Sequence, residues 1–431
     1  MRGTGVLLLK AMVYGLLATA CGSSTSSGLF TGADGGAGTS ASGGSSGAAG
    51  SGAAGEAGAG ASSGAAGEGG GGSSGKAGSG GTGATSGSGG LPGCDAPAPD
   101  DDVDGDGFTK DQGDCDECSA DVNPGAYDFR SNGIDEDCSA QADDEPKECD
   151  DGDIADADAT KAARAIGICR AAENGSWGLV SAKYVLVDGT TGMAAASHGL
   201  LPDFGPNMMP REGQRMLALS SGTARRPTDT GYLSLDGAKM GTTSGFPGSY
   251  PLIGPFCSVA PQGGTQAFDP AALEIVVRTP TNVKSLAFDF DFYSYEFPLF
   301  VCSMFFDSFA VIQTPEPSGA LSGGISHDAK GNAVSVDSKF MRACTSQTIQ
   351  NILFDCPLGT DPLVGTGFDV TTMHAASGWL VTRSAVSPGT EATLRFAIWD
   401  SGDDLYDSTV LIDAFRWSAD EVALPSNDPA P

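Results

Sequence analysis

The chain has 431 residues, with 54 acidic and 23 basic side chains and a formal net charge of −31 at pH 7. So acidic a surface repels nucleic acid and anionic lipid, and both are excluded as charge-driven partners. Residues 22–92 are almost wholly Gly, Ala, Ser and Thr, which cannot bury enough apolar surface to fold. The remaining length is enough for one large core and a small satellite module.

The N-terminus predicts an exported protein. Residues 1–20 read as a signal peptide, because Arg2 and Lys10 supply positive charge and the apolar run is too short to span a bilayer. The stretch Leu17–Cys21, followed by Gly, resembles a bacterial lipobox. This resemblance implies a lipid on Cys21, a membrane contact through that lipid, and an outer-membrane location. The alternative is ordinary cleavage after Ala-Thr-Ala.

A linker follows the lipidation site, over residues 21–93. As a flexible coil of about 70 residues it has a mean reach of about 45 Å. We expect it to tether a folded head away from the lipid surface.

Residues 94–146 form an acidic module. Residues 94–160 hold 24 acidic and 3 basic side chains. Asp102, Asp104 and Asp106 occupy positions 1, 3 and 5 of an EF-hand-type calcium loop, with Gly107 at position 6. Position 12 is a Gly instead of the usual Glu, and the expected closing ligand is Asp111 or Asp114. The alternative interpretation is a solvated acidic spacer.

The same stretch is similar to the metal-binding motif named after the copper-binding protein MopE, although Ser131 stands where that motif has a cysteine. We expect calcium rather than copper, because the module has no Trp, His or Met and all-oxygen sites prefer calcium. The candidate metal ligands in the module are Asp102, Asp104, Asp106, Asp111, Asp114, Asp116, Asp135 and Asp137.

Eleven cysteines in an exported chain predict disulfides, and ten remain if Cys21 carries a lipid. In the module we favour Cys115–Cys138 with Cys94–Cys118 among three possible pairings. The other expected bridges are Cys149–Cys169, Cys257–Cys302 and Cys344–Cys356.

A short helix is predicted between Asp153 and Gly167, within a segment 147–170 that two cysteines bracket. Asp153 or Asp156 is the expected N-cap, and Gly167 the stop. The face predicted to be buried comprises Ala155, Ala159, Ala162, Ala163 and Ile166.

From residue 171 to 420 the pattern is mainly β, and we predict a jelly-roll-like β-sandwich, followed by a disordered tail at 421–431. In Ser285–Gln313 the residues Leu286, Phe288, Phe290 and Phe292 alternate with more polar ones, which predicts a strand with one buried face. The run Phe305–Ile312 is expected to be its neighbouring strand. Further predicted strands are Leu179–Val187, Met216–Ser220, Ala272–Arg278, Leu394–Ile398 and Thr409–Trp417.

The segments FDFYSYEFPLFVCSMFFDSFAVI and, about ninety residues later, LRFAIWDSGDDLYDSTVLIDAF resemble the paired signature of choice-of-anchor L domains. The likeness covers roughly residues 171–418. It implies an extracellular module of a bacterial surface protein, and it implies a location more clearly than an activity.

A second candidate metal site lies in the head. The acidic loop after Leu394–Ile398 and the carboxylates flanking the aromatic segment offer hard oxygens for one structural calcium, held by Glu296, Asp307, Asp400, Asp403 and Asp407. Asp413 is a further candidate, because strand alternation places it on the face of Leu411 and Phe415. The alternative is that these residues are turn caps.

We expect that the protein is not an enzyme. The three histidines are scattered, and no supported nucleophile motif is present. The best prediction is a surface binding or adhesion protein whose ligand is a polysaccharide or a protein. The alternatives are metal scavenging or sensing by the acidic module, and a polysaccharide-active enzyme with Glu296 paired to a loop Asp. The four tryptophans could form a sugar-stacking platform, although core positions are more usual for them.

Overall fold

The structure is a computed structural model that describes residues 98–146, 149–173, 175–248, 250, 257, 266–328, 330–369 and 373–430. The predicted signal peptide, Cys21, the linker and Cys94 lie outside these residues. Two antiparallel β-sheets dominate what is described, and within it no helix is long and apolar enough to cross a membrane.

Sheet A has the strand order β1-β5-β13-β7-β8, with β4 beside β5. Its strands are β1 (Gly178–Val185), β4 (Thr243–Ser244), β5 (Ala267–Arg278), β7 (Ser308–Thr314), β8 (Val334–Ser335) and β13 (Glu391–Ser401).

Sheet B has the order β15-β12-β6-β14-β3-β2, with β11 beside β6. Its strands are β2 (His198–Leu201), β3 (Met216–Ser220), β6 (Ser285–Ser294), β11 (Ala375–Ala376), β12 (Leu380–Ala385), β14 (Ser408–Ser418) and β15 (Ser426–Pro429). A separate hairpin is formed by β9 (Gln347–Ile349) and β10 (Ile352–Phe354). Among the described residues, the helical elements are α1 (Ala159–Ala165) and three 3-10 turns at Lys110–Gln112, Ala195–Ser197 and Asp361–Leu363.

The main core lies between the two sheets, which confirms the predicted β-sandwich. Phe288 and Phe290 of β6 are fully buried. Phe288 packs edge to face on Phe396 of sheet A, and Phe290 lies against Phe309 of the same sheet, each at a ring-centroid distance of 5.0 Å. These aromatic contacts add to the burial of apolar surface that stabilises the layered arrangement.

The prediction of one buried face for β6 is wrong, because every residue of Ser285–Ser294 is buried. β6 lies inside sheet B, and a second apolar cluster that includes Tyr293, Phe204 and Phe368 packs outside the main core. The prediction that the following run pairs with β6 is also wrong. β7 belongs to sheet A, so the chain crosses from one sheet to the other after Ser294.

The long connections 223–266 and 315–379 also lead from one sheet to the other. The first links β3 of sheet B to β5 of sheet A, with the short β4 inside it. The second links β7 to β12 and carries β8, the β9–β10 hairpin and β11. The disordered tail expected at 421–431 differs from the structure, in which Ser426–Pro429 pairs with β12 as the edge strand of sheet B.

Helix α1 begins later than the sequence predicts. Its N-cap is Asp158, whose carboxylate accepts a hydrogen bond from the Thr160 amide at 2.9 Å. Asp156 accepts from the Asp158 amide, and this local turn competes with helix formation, which leaves Ala155 exposed. Gly167 ends the helix with a φ of 106°, as predicted.

The acidic module packs against the head through buried polar contacts. The Trp177 indole donates to the Ala126 carbonyl at 2.7 Å, and the Asn282 side chain donates to the Tyr127 carbonyl at 2.9 Å while accepting from its amide. Gly125 lies at this contact, where a Cβ would come within 3.0 Å of Phe108 and Thr281. Only glycine therefore fits there without a shift of the neighbouring side chains.

The structure contains the expected pairs Cys115–Cys138, Cys149–Cys169, Cys257–Cys302 and Cys344–Cys356. Cys118 carries no disulfide in the described part of the chain, and Cys94, its expected partner, lies outside that part.

Candidate metal sites

One end of the sandwich gathers the carboxylates of the head. Ser294 at the end of β6 lies opposite Ser408 at the start of β14, and Ser308 at the start of β7 lies opposite Trp399 in β13. The connections 295–307 and 402–407 therefore leave the two sheets at the same end. Antiparallel pairing within each sheet, rather than closeness in sequence, positions their acidic residues.

Glu296, Asp307 and Asp400 form a buried triad at this end. One carboxylate oxygen from each lies within 4.8 Å of the others, and the exposed fractions of the three residues are 1%, 0% and 1%. The Asp307 amide donates to Glu296 Oε2 at 2.6 Å, which ties together the two ends of the 295–307 connection.

The triad leaves acceptor atoms unpaired. Ser221 Oγ donates to Asp307 Oδ2 at 3.2 Å. Asp307 Oδ1 and both carboxylate oxygens of Asp400 have no hydrogen-bond partner among the described residues, although all three atoms are buried. A buried carboxylate without a partner costs several kcal/mol in its charged form, so these oxygens need a proton or a cation.

Burial raises the pKa of every member of the triad, and the charges of neighbouring acids add to this effect. The pKa of Glu296 lies well above its usual value, first because of burial and then because of the charge of Asp307. Burial raises the pKa of Asp307 to about 7. The pKa of Asp400 is also raised, by burial and then by the charges of its two neighbours. The arrangement holds three negative groups together only if something neutralises them.

The other predicted head ligands, Asp403 and Asp407, lie near this triad but are not among the groups whose oxygens converge within 4.8 Å. Asp407 is buried, and its pKa is raised to about 9, first by burial and then by the charge of Asp307. Its Oδ2 has no partner among the described residues, but it is not one of the three converging groups. Asp403 is half-buried, and its carboxylate accepts from the Leu405 amide at 3.2 Å. Asp403 therefore caps a turn beside the triad.

Asp413 does not belong to the site, which corrects its grouping with the acidic loop. Its carboxylate accepts from the amides of Arg211 at 2.6 Å and Glu212 at 3.2 Å. An irregularity between Asp413 and Arg416, with Ala414 at a φ of 51°, changes the alternation of β14. Asp413 consequently does not share the face of Phe415 that strict alternation predicts.

Two further carboxylates, Asp269 and Asp337, lie near this end and were not among the predicted ligands. Asp269 in β5 accepts from the amides of Met240 and Thr242, each at 2.9 Å, and its charge acts on Asp407. The Asp337 carboxylate accepts from the Cys302 amide, and its charge acts on Glu296. Neither has a sequence signal of metal binding, because each is a single acid in an otherwise apolar or small-residue context.

The acidic module contains a second cluster, in which Asp102, Asp104 and Asp106 converge within 4.8 Å as their spacing predicts. Asp114 is 4% exposed and Glu117 is 6% exposed. Glu117 was not among the predicted ligands.

Within the module cluster, several buried oxygens have no partner among the described residues. They are Asp104 Oδ2, Asp106 Oδ2, Asp114 Oδ2 and Glu117 Oε1. Burial, followed by smaller effects of neighbouring acids, raises the pKa of Asp106 to about 6. The candidate closing ligands are therefore Asp114 and Glu117.

The remaining module residues are placed differently. Asp111 is exposed on the 3-10 turn Lys110–Gln112, and Asp116 accepts from the Cys118 amide at 3.3 Å. Asp135 accepts from the amides of Ser139 and Ala140, as a turn cap does. Asp111 and Asp135 therefore do not join the converging group.

Asp137 lies within 4.8 Å of Asp128 and Asp144, and it forms an ion pair with Arg170 at 3.3 Å. Asp128 accepts from the amides of Glu136 and Asp144. Protein groups thus already satisfy these acids, and nothing in their contacts calls for a metal.

The tryptophans do not form a platform. Trp177 is 5% exposed, Trp399 is fully buried and Trp417 is 9% exposed, so these three belong to packed regions. Trp379 is half-buried and packs on the cluster outside sheet B.

Comparison with protein-family models gives a match to the Choice-of-anchor L domain over residues 258–416. The matched stretch runs from before β5 into β14 and includes Glu296, Asp307 and Asp400. Comparisons with curated proteins and with solved structures gave no match. Residues 258–416 are therefore similar to Choice-of-anchor L domains, and a domain of this type suggests a bacterial cell-surface protein.

Proposed function

We propose that the chain is a cell-surface binding or adhesion protein whose β-sandwich head is stabilised by calcium at Glu296, Asp307 and Asp400. The observation that carries this proposal is the burial of three adjoining carboxylates with unpaired oxygens. A bound divalent cation would offset two of the three negative charges of the triad and join the 295–307 connection to the end of β13. It would therefore hold in register the two sheet crossings of the head.

Calcium is the metal that the donor set favours. All three groups offer carboxylate oxygen, and calcium accepts six to eight such ligands in flexible geometry, with water completing the shell. Soft or borderline metals prefer sulfur and imidazole, and the sulfurs that the described residues group with an acid near this end belong to the Cys257–Cys302 disulfide. Copper is therefore not proposed.

A role in metal scavenging or sensing is the second candidate. It is favoured by the unpaired buried oxygens of Asp104, Asp106, Asp114 and Glu117 in the module. These side chains, with Asp102, would hold one calcium ion. Because the module contacts the head, its metal would stabilise the base of the head even if scavenging were not its role.

Surface binding is proposed because of the domain type, the predicted export signal and the linker. We propose lipid attachment through Cys21 at the outer membrane, with the linker presenting the head to a polysaccharide or protein ligand. The chemistry of the described site is that of structural neutralisation rather than catalysis, since the triad is almost fully buried.

Calorimetric titration of the full chain with calcium tests the proposal. The wild type is expected to bind two ions, while Asp400→Asn and Glu117→Gln should each bind one. Asp291→Asn is the matched control, because Asp291 is also fully buried and carries an unpaired oxygen but lies outside both clusters. Heats that are absent in the wild type, or unchanged in Asp400→Asn, would contradict calcium binding by the head.

A further inference from the structure

Beside the triad, the same two connections carry a group of half-buried aromatic rings, Tyr295, Phe300, Phe305 and Tyr406, which we name the ring patch. The rings of Tyr295 and Tyr406 are nearly parallel, at 13°, with centroids 5.9 Å apart. Phe300 lies 5.5 Å from Tyr406 and 5.8 Å from Phe305. The four rings are therefore contiguous at the end of the sandwich and partly open to solvent.

The ring patch rests on a rigid support. The imidazole of His374, which is 1% exposed, stacks on Tyr295 at 3.6 Å, and its Nδ1 lies 2.9 Å from the Phe368 carbonyl oxygen. Both His374 and Tyr406 have positive φ angles, 70° and 62°. Residues other than Gly seldom adopt this backbone conformation. Where they do, the surrounding structure holds it, often at ligand-binding positions.

Exposed apolar side chains extend the patch. Leu299 is 64% exposed and Met304 is 49% exposed, and both belong to the 295–307 connection. Single exposed apolar residues are ordinary, but here they adjoin four partly open rings. The patch thus offers an apolar face of the kind on which a flat ligand can pack.

The charges around the patch are negative. The exposed Asp236 directly follows Leu235, whose carbonyl accepts from the Asp407 amide at 2.9 Å, so Asp236 lies next to the loop that carries Tyr406. Its charge also acts on Tyr295, and the exposed Asp369 acts on the nearby Tyr232. Asp403 lies on the same loop as Tyr406, and the basic residue next to that loop, Lys239, is paired with Asp404. Such a surface repels anionic polymers and attracts a cation, which aromatic faces also bind.

We propose that the ring patch binds an amino sugar, with the apolar face of the sugar ring on Tyr406 and Tyr295 and the ammonium group directed to Asp236. The combination of stacked rings and acidic rim carries the inference. Rings without acids would suit a neutral sugar, and acids without rings would suit any cation. This proposal rests on the surface-binding function proposed above and names its ligand class.

The test is a titration of the full chain, saturated with calcium, with an oligomer of glucosamine and with its N-acetylated counterpart. The glucosamine oligomer should bind at least ten-fold more tightly. Tyr406→Ala should weaken that binding at least ten-fold, whereas Tyr406→Phe should stay within three-fold. Asp236→Asn should weaken it several-fold and reduce its dependence on salt, and Glu173→Gln, at an exposed acid on β1's side of sheet A, should change nothing.

The outcomes separate this proposal from the one on which it rests. Equal affinity for the acetylated oligomer, or binding unaffected by Tyr406→Ala, overturns the ligand assignment. The ligand assignment is also overturned if an oligolysine of matched charge binds as tightly as the glucosamine oligomer and Tyr406→Ala does not weaken its binding. If calcium heats persist while neither sugar binds, the amino-sugar inference fails and the calcium site stands. If sugar binds but calcium does not, the calcium site fails and the ligand assignment stands.

Discussion

The head triad and the module cluster are both built from carboxylates, but they are assembled in different ways. In the module, Asp102, Asp104 and Asp106 come from one turn, so their convergence is local. In the head, Glu296 and Asp400 are roughly a hundred residues apart, and only the pairing of β6 with β14 and of β7 with β13 brings them together. The contrast shows that a local site can form with little of the fold, whereas a non-local site both needs the fold and reports on it.

The largest expected effect is the stabilisation of the head by calcium bound at the triad. Calcium at about 100 times its Kd should stabilise the head by about 2.7 kcal/mol, which raises its Tm by about 5–10 °C. Asp400→Asn should lose this shift and melt above the wild type when calcium is removed, since it relieves repulsion in the triad. Thermal melting with calcium and with chelator measures both effects. If chelator leaves the wild-type Tm unchanged, the triad does not stabilise the head through calcium, and the contrast between the two sites is contradicted.

A second prediction concerns a buried acid that belongs to neither site. Burial raises the pKa of Asp291 to about 7, although Ser377 Oγ donates to its Oδ1 at 3.0 Å. Because the folded-state pKa is above the unfolded value, its protonated form stabilises the fold at low pH, and that contribution is lost as pH rises toward 7 and beyond.

Asp291→Asn should remove this loss. Denaturant unfolding at pH 5 and pH 8 should show that the variant becomes more stable relative to the wild type by a few kcal/mol, on the order of 1.4 kcal/mol for each pH unit between pH 5 and the folded-state pKa of about 7. The comparison is made with calcium saturating throughout. An equal pH dependence for both proteins would mean that Asp291 has another counter-group.

A third prediction sharpens the role of the hydroxyl beside the triad. Ser221 Oγ donates to Asp307 and accepts from the Ser408 amide at 2.9 Å. Ser221→Ala should cost about 1–3 kcal/mol, because it leaves the buried Ser408 amide without its acceptor. It should also weaken calcium binding less than Asp400→Asn does. Chemical denaturation and calorimetry measure the two effects, and Ser139→Ala, at an exposed serine of the module, is the control.

The smallest expected effect is on stability in the module. Asp106→Asn should remove one bound calcium but change the Tm of the head by less than about 2 °C, because the converging ligands of that site come from one turn of the module and none comes from the head. The Cys115–Cys138 disulfide still constrains the module in this variant. A drop in Tm as large as that of the chelated wild type would show that the module metal, and not the triad, holds the head.

Much of the head could be predicted because its signals are strong and local. The strand predicted at Met216–Ser220 is β3 with the same bounds, and the four expected disulfides within the described residues are present. Partnership between strands could not be read in the same way. Two adjacent apolar runs look alike whether they form a hairpin or cross between sheets, and β6 and β7 do the latter.

The site was predicted in part for the same reason. Glu296, Asp307 and Asp400 flank runs that the family signature pairs, so their convergence followed from that resemblance. Asp413 was misplaced because an irregularity in β14 has no clear signal in the sequence. Glu117 was not predicted because an EF-hand-type loop has its closing Glu at position 12, which is Gly113 here. Glu117 lies further along the chain than that position, and the fold buries it in the module.

The most direct test of the central claim is an anomalous-scattering map of crystals of the calcium-loaded protein. The account predicts a calcium peak about 2.3–2.6 Å from carboxylate oxygens of Glu296, Asp307 and Asp400. A map with no peak between these side chains, in a crystal where the module cluster is occupied, would show that shared protons rather than a cation hold the triad together.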